Sequence, residues 1–189
     1  MNDIIQLVNP KTDHYYAFKQ HVLSDKFAWY YNETQHPEEY HKGIDTSAKS
    51  RFVHPRMNMN RLGDVPMHTH GFLGRPGHLP KLMDVDYIGA AWEVFKEIFY
   101  YNKIHVNMCI RIAANQVRPH HHVETTHIHV DHMFDHKNAL IYLTDAGGET
   151  IIENDYHDPK EDDAIIFEGY HTHNVPKSKT RVVLVATYF

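Results

Sequence analysis

Residues 127–143, HIHVDHMFDHKNALIYL, set four histidines and two aspartates ahead of an apolar run. In an extended chain, side chains two apart point the same way, so His129 and Asp131 can grip one ion while Val130 turns into the core. The run NALIYL behind them reads as a buried strand. Upstream, in HVNMCIRIAAN (105–115), Val106, Met108, Ile110 and Ile112 alternate with His105, Asn107, Cys109 and Arg111, the period of a strand with one buried face. HIHVD, ETIIE, AIIFE and RVVLVATYF are further strand candidates, separated by Gly, Asp and Pro. Many short strands with turns between them predict a jelly-roll sandwich or barrel from about residue 105 onward.

The N-terminal part reads differently. Thr12 is a natural N-cap for a helix through about Lys26, with Asp13 in its first turn and Tyr15, Phe18 and Val22 on one face. A second helix is predicted where Ile88, Trp92, Phe95 and Phe99 recur at helical spacing. Between them, Pro, Gly and Asn break every period, so residues 32–83 read mostly as loop, the kind of long segment that serves as a substrate-binding lid. Phe27, Trp29, Tyr30 and Tyr31 read as core aromatics.

The 189 residues fit one domain, expected as residues 1–104 of helical and loop support followed by a β core over 105–189. A 42% hydrophobic, 23% charged composition is that of a globular protein, and no apolar run approaches the roughly 20 residues of a membrane span. A net charge of −5 argues against a broad nucleic-acid-binding surface. MNDIIQLVNPKTDH lacks the basic start and apolar stretch of a secretory leader, and the single cysteine, Cys109, excludes an intrachain disulfide; cytoplasm is the expected compartment. Oligomeric state is not legible. The 19 histidines equal the whole Lys+Arg count, and histidine is the commonest transition-metal ligand.

Two histidines and one carboxylate on one side of an iron leave the opposite positions open, the arrangement of non-haem Fe(II) oxygenases. The third ligand must come from elsewhere, and EGYHTHNVPKSKTRVVLVATYF (168–189) offers His171 and His173.

HVD, ALIYL, GGET, PKEDDAIIF and HNVPKSKTR followed by VVLVATYF occur in that order over residues 105–189. This succession resembles the Fe(II)/2-oxoglutarate-dependent dioxygenases, closest to their prolyl hydroxylase branch, with a weaker likeness to oxygenases of tailed bacteriophages. The resemblance implies a mainly β fold with N-terminal helices around a double-stranded β-helix, the jelly-roll or cupin-like core. It implies iron bound by His129, Asp131 and His173, with Arg181 and Tyr142 holding the distal carboxylate of 2-oxoglutarate. HNVPKSKTR favours His173 as the distal ligand, but its eight-residue distance to Arg181 is shorter than the family's, so His171, ten residues before Arg181, stays in play. Arginine's planar fork suits a bidentate grip on a carboxylate. The implied cofactors are Fe(II), 2-oxoglutarate and O2, with ascorbate as a candidate co-reductant. The implied reaction hydroxylates a C–H bond and releases succinate and CO2, with a prolyl residue of a peptide or protein as the leading substrate and small molecules still open.

Competing readings are plainer. His127, His132, Asp135 and His136 are expected to be mostly solvated, His120-His121-His122 to sit in an exposed loop, and Cys109 to be inert. Arg111 and Asn115 are expected to line the pocket. The alternative for the whole chain is a non-enzymatic, histidine-rich metal-binding or structural jelly roll. No phosphate-binding glycine loop or GxSxG nucleophile motif is present.

Overall fold

The computed structural model describes residues 4–33, 52, 54–74 and 84–189. Among them are helices α1 (Asp13–Leu23) and α2 (Ile88–Tyr101). The strands are β1 (Ile5–Leu7), β2 (Tyr30–Asn32), β3 (Leu62–Gly63), β4 (Met67–Leu73), β5 (Cys109–Val117) and β6 (Thr125–Thr126). They continue with β7 (Lys137–Tyr142), β8 (Thr150–Ile152), β9 (Tyr156–His157), β10 (Ala164–Glu168), β11 (His171–His173) and β12 (Arg181–Tyr188). Seven strands form one antiparallel sheet in the order β1-β10-β7-β12-β5-β4-β2, and β11-β8-β9 form a smaller one. The fold is mainly β with N-terminal helices, as expected. No helix among the described residues is long and apolar enough to cross a membrane.

The period-two pattern explains the layering. On one face of the large sheet Ile112, Ala114, Ala139, Ile141, Leu184 and Ala186 meet the buried sides of α1 and α2 in the main core. The alternate residues Leu140, Tyr142, Ile165, Phe167, Val183 and Val185 face the other way and pack with Ile152 of the small sheet. That second layer is where the site lies.

Thr12 caps α1 by accepting from the Tyr15 N–H (3.1 Å), and Tyr15, Phe18 and Val22 are buried. The helix stops three residues before Lys26, because the chain turns extended at Ser24 and its hydroxyl donates to the His21 carbonyl (2.8 Å). Lys19, also on the buried face, ties α1 to the turn before β10 through Glu161 and Asp162, both at 2.5 Å. Asp162 sits at a positive φ of 70° and also accepts from the Tyr15 hydroxyl (2.7 Å).

Three expectations need correction. The buried stripe of α2 is Ala91, Val94, Phe95, Ile98 and Phe99; Ile88 and Trp92 lie at its margin, because small Ala91 lets the helix approach the sheet on that side. Residues 67–73, read as loop, form β4, whose ladder with β5 satisfies its backbone despite two histidines and a glycine. Tyr30 and Tyr31 are exposed on the edge strand β2, while Phe27 is buried and Trp29 packs on the core. The rest of the proposed lid, residues 34–51, 53 and 75–83, lies outside the described residues.

Candidate metal centre

HIHVD is not a regular strand: His129 makes a single bridge to His171, with both backbone bonds at 2.9 Å. The histidines there turn their ring nitrogens on nearby carbonyls, His129 on His127 and His136 on Phe134, and such local bonds compete with ladder pairing. The bridge is enough to set His129 opposite His171. On β11, His171 and His173 share a face, while Thr172 turns away and donates to the Thr126 carbonyl (2.6 Å).

Three imidazoles therefore converge. His129, His171 and His173 each offer a ring nitrogen within 4.8 Å of the others. Their outer nitrogens are already engaged: His129 Nδ1 with the His127 carbonyl (2.9 Å), His171 Nδ1 with the Gly169 carbonyl (3.2 Å), and His173 Nδ1 with Thr150 Oγ1 (2.9 Å). A carbonyl can only accept, so His129 and His171 donate from Nδ1, the outer-nitrogen contact that fixes the ring orientation of a metal-binding histidine. Thr150 also meets the buried Tyr142 hydroxyl (2.5 Å), linking the sheet floor to the His173 ring.

Asp131 is buried beside the three rings. Its Oδ1 accepts from Arg111 Nη1 (2.7 Å), and its Oδ2 lies 3.6 Å from His171 Nε2. The cluster that could hold a metal ion is thus His129, His171 and His173, with both distal histidines named from the sequence in it, while Asp131 lines the same cavity beside His171 and is held by Arg111.

Arg181, only 4% exposed, lines the same cavity. Its Nη1 donates to the carbonyls of Gly148 (2.7 Å) and Asn174 (3.0 Å), while Nε has no partner among the described residues. Burial pulls its pKa down and Tyr142 and Glu149 partly oppose this, but a guanidinium stays charged. Gly148 makes this cradle possible: it sits at φ +87°, and a Cβ there would lie 2.6 Å from the Asn174 carbonyl and 2.8 Å from Arg181 Nη1. Burial lifts the Tyr142 phenol to about 12, so it is a neutral donor beside that cation. Met67, Asn115, Val117, Leu140, Val183 and Val185 complete the lining.

The other expectations divide. Arg111 and Asn115 do line the cavity. His132 and His136 are buried, not solvated: His132 stacks on Phe134 and meets His136 edge-on, whereas Asp135 is exposed. His121 and His122 are exposed and lend their backbone carbonyls to Arg61. Burial raises the Cys109 thiol to about 11, which leaves it unreactive. Thr150 was overlooked as a ring-orienting group; the GGET turn that carries it was its only trace. The Arg111–Asp131 pair joins residues 20 apart and has no sequence signature.

No family model and no curated protein matches the chain. Solved structures do. The non-haem α-ketoglutarate-dependent epimerase SnoN from nogalamycin biosynthesis is 11% identical with a TM-score of 0.53, over 100% of this chain and 78% of that one. A prolyl hydroxylase from Trichoplax adhaerens, in complex with a hypoxia-inducible factor oxygen-degradation-domain peptide fragment, is 13% identical with a TM-score of 0.52, over 98% and 83%. The chain has the jelly-roll fold of the 2-oxoglutarate- and iron-dependent oxygenases.

Proposed function

We propose that this chain is an Fe(II)- and 2-oxoglutarate-dependent dioxygenase: one substrate C–H bond, 2-oxoglutarate and O2 are converted to the C–OH product, succinate and CO2. One observation carries the reading. Three imidazoles converge in a cavity that is also lined by the Asp131 carboxylate and by a buried guanidinium braced by backbone carbonyls.

The donor set fits a ferrous ion: nitrogen and carboxylate oxygen, with proton positions already fixed on two of the rings. His129, Asp131 and His173 are the proposed ligands, with His171 as the alternative distal one. Arg181 pairs with the distal carboxylate of 2-oxoglutarate, and the Tyr142 hydroxyl donates to that same group. Thr150 fixes the ring plane of His173. Leu140, Val183 and Val185 keep bulk water from the cavity, which strengthens each of these charge-assisted contacts. Iron and cosubstrate, when bound, supply the oxidising power; the chain binds and orients.

A prolyl residue in a peptide or protein remains the leading substrate, since the resemblance read from the sequence is closest to prolyl hydroxylases. The test is succinate formation with Fe(II), 2-oxoglutarate, O2 and ascorbate over a panel of proline-containing peptides and free amino acids, against the substrate-free rate. Substrate-dependent succinate with a matching mass gain of one oxygen is expected. Folded, iron-loaded protein that yields no succinate above a metal-only blank would leave a metal-binding jelly roll without turnover.

A further inference from the structure

We propose that Arg111 recognises an anionic group on the substrate, so that the preferred substrate presents a free carboxylate near the oxidised C–H bond. The inference rests on the oxygenase reading above and narrows its substrate class.

Three observations converge on it. The first is position. Arg181 pairs in register with Val117, six residues along β5 from Arg111, so the two arginines are rooted roughly 20 Å apart along the sheet. Arg111 is held at Asp131, whereas Arg181 is braced by the Gly148 and Asn174 carbonyls, so the two guanidiniums have different anchor points. Contacts run from Tyr142 through Thr150 to His173, from His173 to His171, and from His171 through Asp131 to Arg111. Arg111 therefore sits beside Asp131, displaced along β5 from the arginine assigned to the cosubstrate.

The second is unspent donor capacity. The Arg111 guanidinium makes one hydrogen bond among the described residues, Nη1 to Asp131, out of five available N–H groups. Its side chain is 15% exposed and lines the cavity, and none of its nitrogens is a sealed, unpartnered atom. The guanidinium is thus a cavity-lining cation with one of its N–H groups engaged among the described residues.

The third is charge. The cavity is lined by two guanidiniums and a single carboxylate, a surplus of one positive charge. A ferrous ion and 2-oxoglutarate dianion cancel each other, so the surplus persists in the loaded site. A carboxylate brought by the substrate neutralises it, and a guanidinium holds such a group through two parallel N–H bonds.

The test uses the full chain loaded with Mn(II) and 2-oxoglutarate and measures binding calorimetrically for the common L-amino acids, their amides, and peptides with internal or C-terminal proline. At least one free acid or C-terminal-proline peptide is expected to bind, with its amide weaker by roughly 100-fold, the loss expected for two charge-assisted hydrogen bonds. In Arg111→Gln, which keeps a donor for Asp131, acid and amide are expected to bind alike at saturating Mn(II), while Mn(II) affinity, measured separately, falls by about tenfold. Arg111→Lys, which keeps the charge but not the fork, is expected to retain part of the preference and serves if the glutamine variant does not fold. No binding by any acid, tighter binding by an amide or an internal prolyl peptide, or an unchanged acid-to-amide ratio in the variants would overturn the assignment and leave Arg111 a positioning residue for Asp131. Anaerobic Fe(II) with 2-oxoglutarate separates the two failures: the weak visible band of the chelate present without acid preference sinks this inference alone, whereas its absence sinks the oxygenase reading.

Discussion

Replacing Arg181 by Met separates cosubstrate binding from folding. The guanidinium is buried, braced by two backbone carbonyls, and leaves Nε without a partner among the described residues. Its two hydrogen bonds favour the fold by about 1.5–3 kcal/mol each, yet desolvating an unpaired cation costs a comparable amount. The two nearly cancel, so the melting temperature of the ligand-free variant should stay within a few degrees of the parent. Cosubstrate binding has no such cancellation. Loss of a bidentate, charge-assisted pair removes about 3–4 kcal/mol, a 10²- to 10³-fold drop in affinity. With Mn(II) in place of iron to prevent turnover, 2-oxoglutarate at about 100 times its Kd stabilises the parent by about 2.7 kcal/mol. That is roughly 5–10 °C for a chain of this size. At the same concentration the variant should gain less than about 0.5 kcal/mol, roughly a degree. Thermal unfolding with and without 2-oxoglutarate reads both quantities, and a variant that kept the parent's full shift would refute the placement of the cosubstrate on Arg181.

The surroundings of this site give further outcomes. Gly148→Ala pushes a methyl group onto the Asn174 carbonyl and Arg181 Nη1 at a positive φ, so it should cost about 1–3 kcal/mol in urea unfolding and weaken 2-oxoglutarate at least tenfold. Thr150→Val strands the buried Tyr142 hydroxyl and releases the His173 ring; stability should fall by about 1–3 kcal/mol and metal affinity by about 10- to 100-fold in a competitive chelator titration. Away from the site, Lys19→Met should cost about 2 kcal/mol at neutral pH, because it leaves Asp162 partly buried without its main cation. Burial raises the Asp162 pKa, but hydrogen bonds from Lys19, Tyr15 and Lys11 outweigh it and hold the value below the ordinary 3.8. Its contribution is therefore present above the unfolded carboxyl value and lost as pH falls through the folded one, so the gap between variant and parent in acid unfolding should close below about pH 3.8.

How far the sequence foretold this arrangement depended on the range of each interaction. The alternation through Ile110 and Ile112 and the apolar runs NALIYL and RVVLVATYF announced strands because burial on a pleated sheet imprints a period of two. β4 escaped notice because MHTHGFL carries glycine and histidine, and it becomes a strand through its ladder to β5, a partner distant in sequence. The α2 stripe was misplaced by its large side chains: periodicity marked Ile88 and Trp92, while the sheet receives the side bearing Ala91. At the site, HVD and HTH named the donors by type and spacing. Which of them share a cavity depends on the 129–171 bridge, and the engagement of Asp131 by Arg111 depends on β5 meeting the irregular segment after that bridge, neither of which local pattern encodes.

Convergence of His129, His171, His173 and Asp131 on one metal is tested most directly by anomalous diffraction from crystals grown with Mn(II) and 2-oxoglutarate. One ion is expected at roughly 2.0–2.3 Å from His129 Nε2 and from Nε2 of at least one of His171 and His173, with the cosubstrate's far carboxylate on Arg181. An ion bound elsewhere, those Nε2 atoms turned from it, or the guanidinium facing away from the cosubstrate would contradict the proposed centre.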